Sequence, residues 1–114
     1  MTTGLEEYQL IILRRPDGAP SYDAETLEQI QREHLAFYAS MREAGHVVTN
    51  GPVLNQPDPR LRGIAIYAVE SPARARQLAV GDPAVQAGRL VVDAMTYLCP
   101  VGTMTRSGIP FTSD

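Results

Sequence analysis

The first apolar run, Tyr8-Gln9-Leu10-Ile11-Ile12-Leu13, is short and stops at Arg14-Arg15-Pro16-Asp17-Gly18. Its length, its branched residues and the Pro and Gly after it predict a buried strand that ends in a turn. The pattern then changes period. From about Asp23 to Ala44, Leu27, Ile30, His34, Tyr38 and Met41 recur at three- and four-residue steps, and Leu35 and Phe37 widen the stripe. This predicts a helix with Asp23 as N-cap, Glu25 and Glu28 at the positive end of the dipole, and Gly45 just past the C-terminus. His46 to Leu54 predicts a second strand. Pro52 cannot donate to a ladder, which places that strand at an edge or at a bulge. A polar hairpin loop, residues 55–60, leads to a third strand, Gly63 to Val69. Ser71-Pro72 opens a second helix over Ala73 to Val80, and Asp82-Pro83 repeats the same start signal for one short turn, Ala84 to Ala87. Arg89 to Cys99 predicts the fourth strand.

The order β-α-β-β-α-β is the ferredoxin-like arrangement, an α+β fold with two helices on one face of a four-stranded antiparallel sheet. One further property of the pattern matters. Leu10-Ile11-Ile12-Leu13 and Ile64-Ala65-Ile66-Tyr67 are apolar at successive positions, so both sheet faces are apolar. Helices cover only one of them, and the other calls for a second copy packed sheet to sheet by two-fold symmetry. The expectation is a homodimer, built from a domain over residues 1–100 and carrying a tail over residues 101–114.

Composition narrows the chemistry. The 114 residues carry a formal charge of −3, which argues against a nucleic-acid partner. No apolar run reaches the length of a membrane span, and the N-terminus lacks signal-peptide order, so a cytoplasmic protein without a membrane partner is expected. The one cysteine, Cys99, excludes an internal disulfide and a cysteine-based zinc or iron–sulfur site. All ten basic residues are arginine, so no lysine is available for a Schiff base or a P-loop. No glycine-rich phosphate loop and no convincing set of metal ligands is present. No metal site is therefore expected.

Two histidines remain as near-neutral general bases, His34 and His46. His46 follows a helix C-terminus and reads as a surface residue. His34 lies on the apolar stripe of the first helix. It is either a core histidine bonded to backbone or a partly buried base whose second nitrogen is held by a carboxylate. Asp82 is the natural carboxylate, and also a natural N-cap; one oxygen can serve each role. Tyr38, one turn beyond His34, is placed either to line a pocket or to pack in the core. Asp93 is expected at a solvated edge, the alternative being a buried polar group in a barrel, and Cys99 as a small buried hydrophobe. Arg89, next to Gly88, would neutralise a substrate anion if it turns inward; a solvated guanidinium is the default.

Arg32-Glu33-His34-Leu35, Gly51-Pro52 and Asp82-Pro83-Ala84-Val85-Gln86-Ala87-Gly88 together resemble the YCII-related family, over nearly the whole stretch from Tyr8 to Pro100. The resemblance implies a ferredoxin-like fold paired into a dimeric α+β barrel. It also implies a His–Asp dyad, which falls on His34 and Asp82, with Tyr38, Gly51 and Pro52 as candidate substrate-binding positions. A related enzyme is a chlorohydroxyquinol dehydrochlorinase, and the wider superfamily includes muconolactone isomerases. The function so implied is a cofactor-free lyase or isomerase acting on a small cyclic or aromatic-derived compound. The competing reading is a non-catalytic dimeric binding module with a vestigial pocket, in which His34 is packed against backbone and no cleft reaches it. Ala84 stands where many relatives carry an aromatic residue, which alters the expected pocket shape.

Overall fold

The structure, a computed structural model, describes residues 4–104. The chain runs β1 (Leu5–Arg14), α1 (Ala24–Glu43), β2 (Val47–Pro52), β3 (Leu61–Tyr67), α2 (Pro72–Ala79), α3 (Pro83–Gln86) and β4 (Val91–Pro100). The strands form one antiparallel sheet in the order β2-β3-β1-β4. This is the expected α+β ferredoxin-like arrangement, and each element falls within a few residues of the place its pattern marks.

The local signals act as their chemistry requires. Asp23 caps α1 by accepting from the Thr26 amide at 2.8 Å, and Ser71 caps α2 by accepting from the Arg74 amide at 3.1 Å. Gly45, just beyond α1, has φ +83°, a conformation that glycine adopts without a Cβ penalty. β2 is an edge strand whose pairing shifts register between Val47 and Thr49, and Pro52 closes it. The edge position is the one that proline allows, while the register shift lies at the far end of the strand from Pro52.

Alternation sorts the sheet residues onto two faces. Ile11, Leu13, Ala65, Tyr67 and Val92 face the helices and are buried against Tyr38 and Met41 of α1 and Ala75 and Ala79 of α2. The two alanines let α2 lie close to the sheet. On the other face Tyr8, Ile66 and Cys99 are buried in a smaller cluster with Leu10, Val48, Ala68 and Met104. Val91, Met95 and Tyr97 of edge strand β4 continue this face and are exposed. Both faces are thus apolar, as the sequence requires, and helices cover one.

The helical stripe is narrower than its pattern suggests. Leu35 is 55% exposed. A helix turns about 100° per residue, so the neighbour of an inward-facing His34 points well away from the core. Phe37 is half-buried against the core as expected. Asp93 lies on edge strand β4, half exposed, and accepts from Arg14 Nε at 2.8 Å. The expected tail over residues 101–114 lies, from residue 105 onward, outside the described residues.

Candidate active site

His34 and Asp82 come together through the packing of α1 on the α2–α3 junction. Gly81 sits at that junction. A Cβ there would stand 3.2 Å from the Leu78 carbonyl oxygen and 3.5 Å from Phe37 Cε1. The missing side chain therefore lets the junction seat against α1. Pro83 occupies the first turn of α3, and Asp82 Oδ1 accepts from the Ala84 amide at 2.9 Å. The other carboxylate oxygen, Oδ2, lies 2.7 Å from His34 Nδ1. One carboxylate thus performs both roles open to it in the sequence.

Burial makes this pair specific. The Asp82 side chain is fully buried, whereas the His34 side chain keeps 15% of its surface. A buried carboxylate needs donors, and the Ala84 amide and the His34 ring supply them. Asp82 accepts from Nδ1–H, which leaves the Nε2 lone pair as the free end of the neutral imidazole. Nε2 has no hydrogen-bond partner among the described residues, and His34 lines a cavity of about 620 Å³. That volume lies in the range of small-molecule sites.

Behind the imidazole lies a second layer. The Tyr38 ring meets the His34 ring edge-on, with centroids 5.4 Å apart, and Tyr67 Oη donates to Tyr38 Oη at 2.9 Å. Both rings are fully buried. Burial raises the Tyr38 phenol far above the ordinary tyrosine range, and it pushes the Tyr67 phenol up to about 12. The neutral Tyr38 phenol, held by Tyr67, therefore backs the ring. Tyr38 does not line the cavity, and the expected substrate contact is corrected on that point. Three- and four-residue spacing puts His34 and Tyr38 on one face, but Tyr38 sits deeper, over the sheet centre.

Gly51 and Pro52 do line the cavity. Their position depends on Gly63 in the neighbouring strand. A Cβ on Gly63 would stand 2.8 Å from the Gly51 carbonyl oxygen, closer than real contacts allow. Leu13, Leu27, Ile30 and Leu90 give the cavity an apolar slot, and Ala84, whose small side chain leaves room there, completes it. His46 is half-buried, and its backbone carbonyl accepts from the Ala68 amide; its side chain is not part of the cavity.

Residues 7–95 match the model of the YCII-related domain. The chain belongs to the YCII-related family. Comparison with solved structures finds 5-chloro-2-hydroxyhydroquinone dehydrochlorinase from Burkholderia phenoliruptrix AC1100, in complex with 2,5-dihydroxybenzoquinone. The two chains are 17% identical, with a TM-score of 0.56, covering 77% of this YCII-related chain and 90% of the other. At that identity the likeness establishes the shared fold. No curated protein matches the sequence. In this YCII-related domain no helix among the described residues is long and apolar enough to cross a membrane.

Sequence reasoning missed Arg15, Arg42 and Arg62, which line the same cavity, and left Arg89 as solvated by default although it lines the cavity too. No motif marks the first three. Their only signal is position: Arg15 follows β1, Arg42 lies in the last turn of α1 and Arg62 near the start of β3, and only the fold makes these places neighbours.

Proposed function

We propose that this YCII-related protein is a cofactor-free lyase or isomerase acting on a small cyclic or aromatic-derived compound, with His34 as the proton-transfer group and Asp82 as its positioning residue. The carrying observation is the 2.7 Å contact between His34 Nδ1 and a fully buried Asp82, with Nε2 unpartnered in a cavity. Asp82 holds the tautomer that keeps Nε2 basic and stabilises the imidazolium once a proton arrives. Nε2 takes a proton from the substrate while the electrons of that bond move into the ring. The proton then returns at a different atom, which is isomerisation, or is lost to solvent as a leaving group departs with its electron pair, which is elimination. The dehydrochlorinase on the same fold supports the second course. The binding-module alternative predicts Asp82 as a helix cap, which it is, together with a His34 bonded to backbone and no cleft, which the Nδ1–Oδ2 contact and the cavity do not favour.

The test is chloride release from 5-chloro-2-hydroxyhydroquinone by the wild type, His34→Gln and Asp82→Asn. Loss of the proton-transfer group lowers kcat by about 10²–10⁴. Asp82→Asn lowers kcat with little change in KM, and long-range ¹⁵N spectra show the His34 tautomer moving its proton to Nε2. Undiminished turnover in His34→Gln would exclude the assignment.

The protein acts in this reading as a homodimer whose second copy covers the exposed Val91, Met95 and Tyr97 on the sheet face away from the helices. Sedimentation of the wild type gives a dimer at micromolar concentration, and Ile66→Asp dissociates or unfolds it. A stable wild-type monomer at that concentration refutes the dimer.

A further inference from the structure

The cavity of His34 is cationic in an acidic protein. Arg15, Arg42, Arg62 and Arg89 line it, and no aspartate or glutamate does. The whole chain carries a formal charge of −3. None of the four guanidinium groups has a carboxylate within ion-pair distance among the described residues, where the ion pairs are Arg14–Asp93, His34–Asp82, Arg60–Asp17 and Arg60–Asp58. Asp82 lies behind the imidazole and is fully buried, so its charge is engaged there.

The arginines are held in place by neutral acceptors instead. Arg15 Nε donates to the Arg89 carbonyl at 3.0 Å, Arg89 Nη1 to the Pro20 carbonyl at 3.0 Å, and Arg62 Nη1 to the Pro59 carbonyl at 3.3 Å. Arg42 is tied to the Asn50 side chain. Each of these bonds uses one N–H of a group that has five, so donors remain for a ligand. Burial lowers the Arg15 pKa from its ordinary value, and the nearby charges of Arg89 and Arg62 lower it further. Like charges are therefore gathered here without an internal counter-ion, an arrangement that an incoming anion relieves.

We propose that the ligand of this cavity is a ring compound bearing a carboxylate, its ring in the apolar slot of Leu27, Ile30 and Leu90 and its charge held by Arg15, Arg62 and Arg89. This deepens the reading of the cavity as the substrate site of His34, and rests on it. The three arginines set specificity for the anion and have no part in proton transfer.

Equilibrium binding separates this inference from the catalytic one. The probes are 2,5-dihydroxybenzoate and hydroquinone, which differ by the carboxylate alone. Titration calorimetry at low salt gives the acid an affinity about tenfold or more above that of hydroquinone, the size of one charge-assisted contact. The advantage shrinks with added salt. Arg62→Gln and Arg89→Gln each reduce it, the double variant leaves only the part that Arg15 holds, and Arg62→Lys retains more than Arg62→Gln. Arg74→Gln, the same charge change on α2 where Arg74 bonds Gln77, leaves it unchanged. Arg62 is exposed and holds one carbonyl, so its replacement leaves the fold intact. His34→Gln keeps the discrimination even as it lowers turnover, so failure of the dyad and failure of the anion site are told apart. Equal affinity for the two probes, no binding of the acid at millimolar concentration, or full discrimination in the double variant would overturn the proposal.

Discussion

Replacing His34 by Ala removes the ring that partners a fully buried carboxylate. Asp82 keeps the Ala84 amide, but Oδ2 loses the His34 ring donor at 2.7 Å. Breaking a buried pair from one side typically costs about 3–5 kcal/mol. Here the lower figure of about 3 kcal/mol applies, because the imidazole stands at a cavity wall and its removal admits water. For a domain of this length that is a fall in Tm of about 10 °C. Asp82→Asn in the wild-type background exchanges a charged acceptor for a neutral one and retains the cap, at a cost of about 1 kcal/mol. The sign reverses when both changes are combined. With His34 already gone, Asp82→Asn removes a stranded buried charge, and the double variant is more stable than His34→Ala by about 1–2 kcal/mol. The coupling energy is then about 2–3 kcal/mol, well above the roughly 0.5 kcal/mol within which independent sites add. Urea unfolding of the four proteins at one fixed concentration measures it, the concentration being fixed because association would shift apparent stability. If Asp82→Asn destabilises both backgrounds equally, the pair is not coupled and the electrostatic account of the site is wrong.

Gly63→Ala brings a Cβ within 2.8 Å of the Gly51 carbonyl oxygen, a backbone atom that cannot rotate away. β2 must move away from β3, at a cost of about 1–3 kcal/mol by urea unfolding; an unchanged midpoint contradicts the close approach. The Tyr67 phenol, pushed up to about 12 chiefly by burial, gives alkaline stability a defined window. An unfolded phenol ionises near 10.0, so above that pH the unfolded chain releases a proton that the folded chain keeps. The contribution is complete below pH 10 and is lost between pH 10 and about 12. Tyr67→Phe lessens that decline, and a slope of stability against pH identical to the wild type rules it out. Asp23→Ala removes the acceptor of the Thr26 amide and lowers stability by about 1 kcal/mol; thermal melts without a shift would mean that the cap contributes nothing.

The elements of this protein follow from local rules, and local rules are legible in a sequence. A cap needs a short oxygen-bearing side chain beside a helix start, so Asp23, Ser71 and Asp82 mark the three helix starts directly. Pro52 confines its strand to an edge for want of one N–H, and β2 is an edge strand. The apolar doublets of the first and third strands likewise fix that both sheet faces are apolar. Even the dual use of Asp82 was open to inspection, since a carboxylate has two oxygens and a cap occupies one. The tertiary structure decided what depends on distance. His34 and Asp82 are 48 positions apart, and only the seating of Gly81 against α1 brings them to 2.7 Å. Helical spacing put Tyr38 and His34 on one face, but depth above the sheet sent one to the core and the other to the cavity. Arg15, Arg62 and Arg89 carry no shared motif. They meet because the order β2-β3-β1-β4 sets the end of β1 between the start of β3 and the residues before β4. Charge acts through space with no regard for spacing along the chain, so the cationic character of the cavity in an acidic protein is a property of the fold.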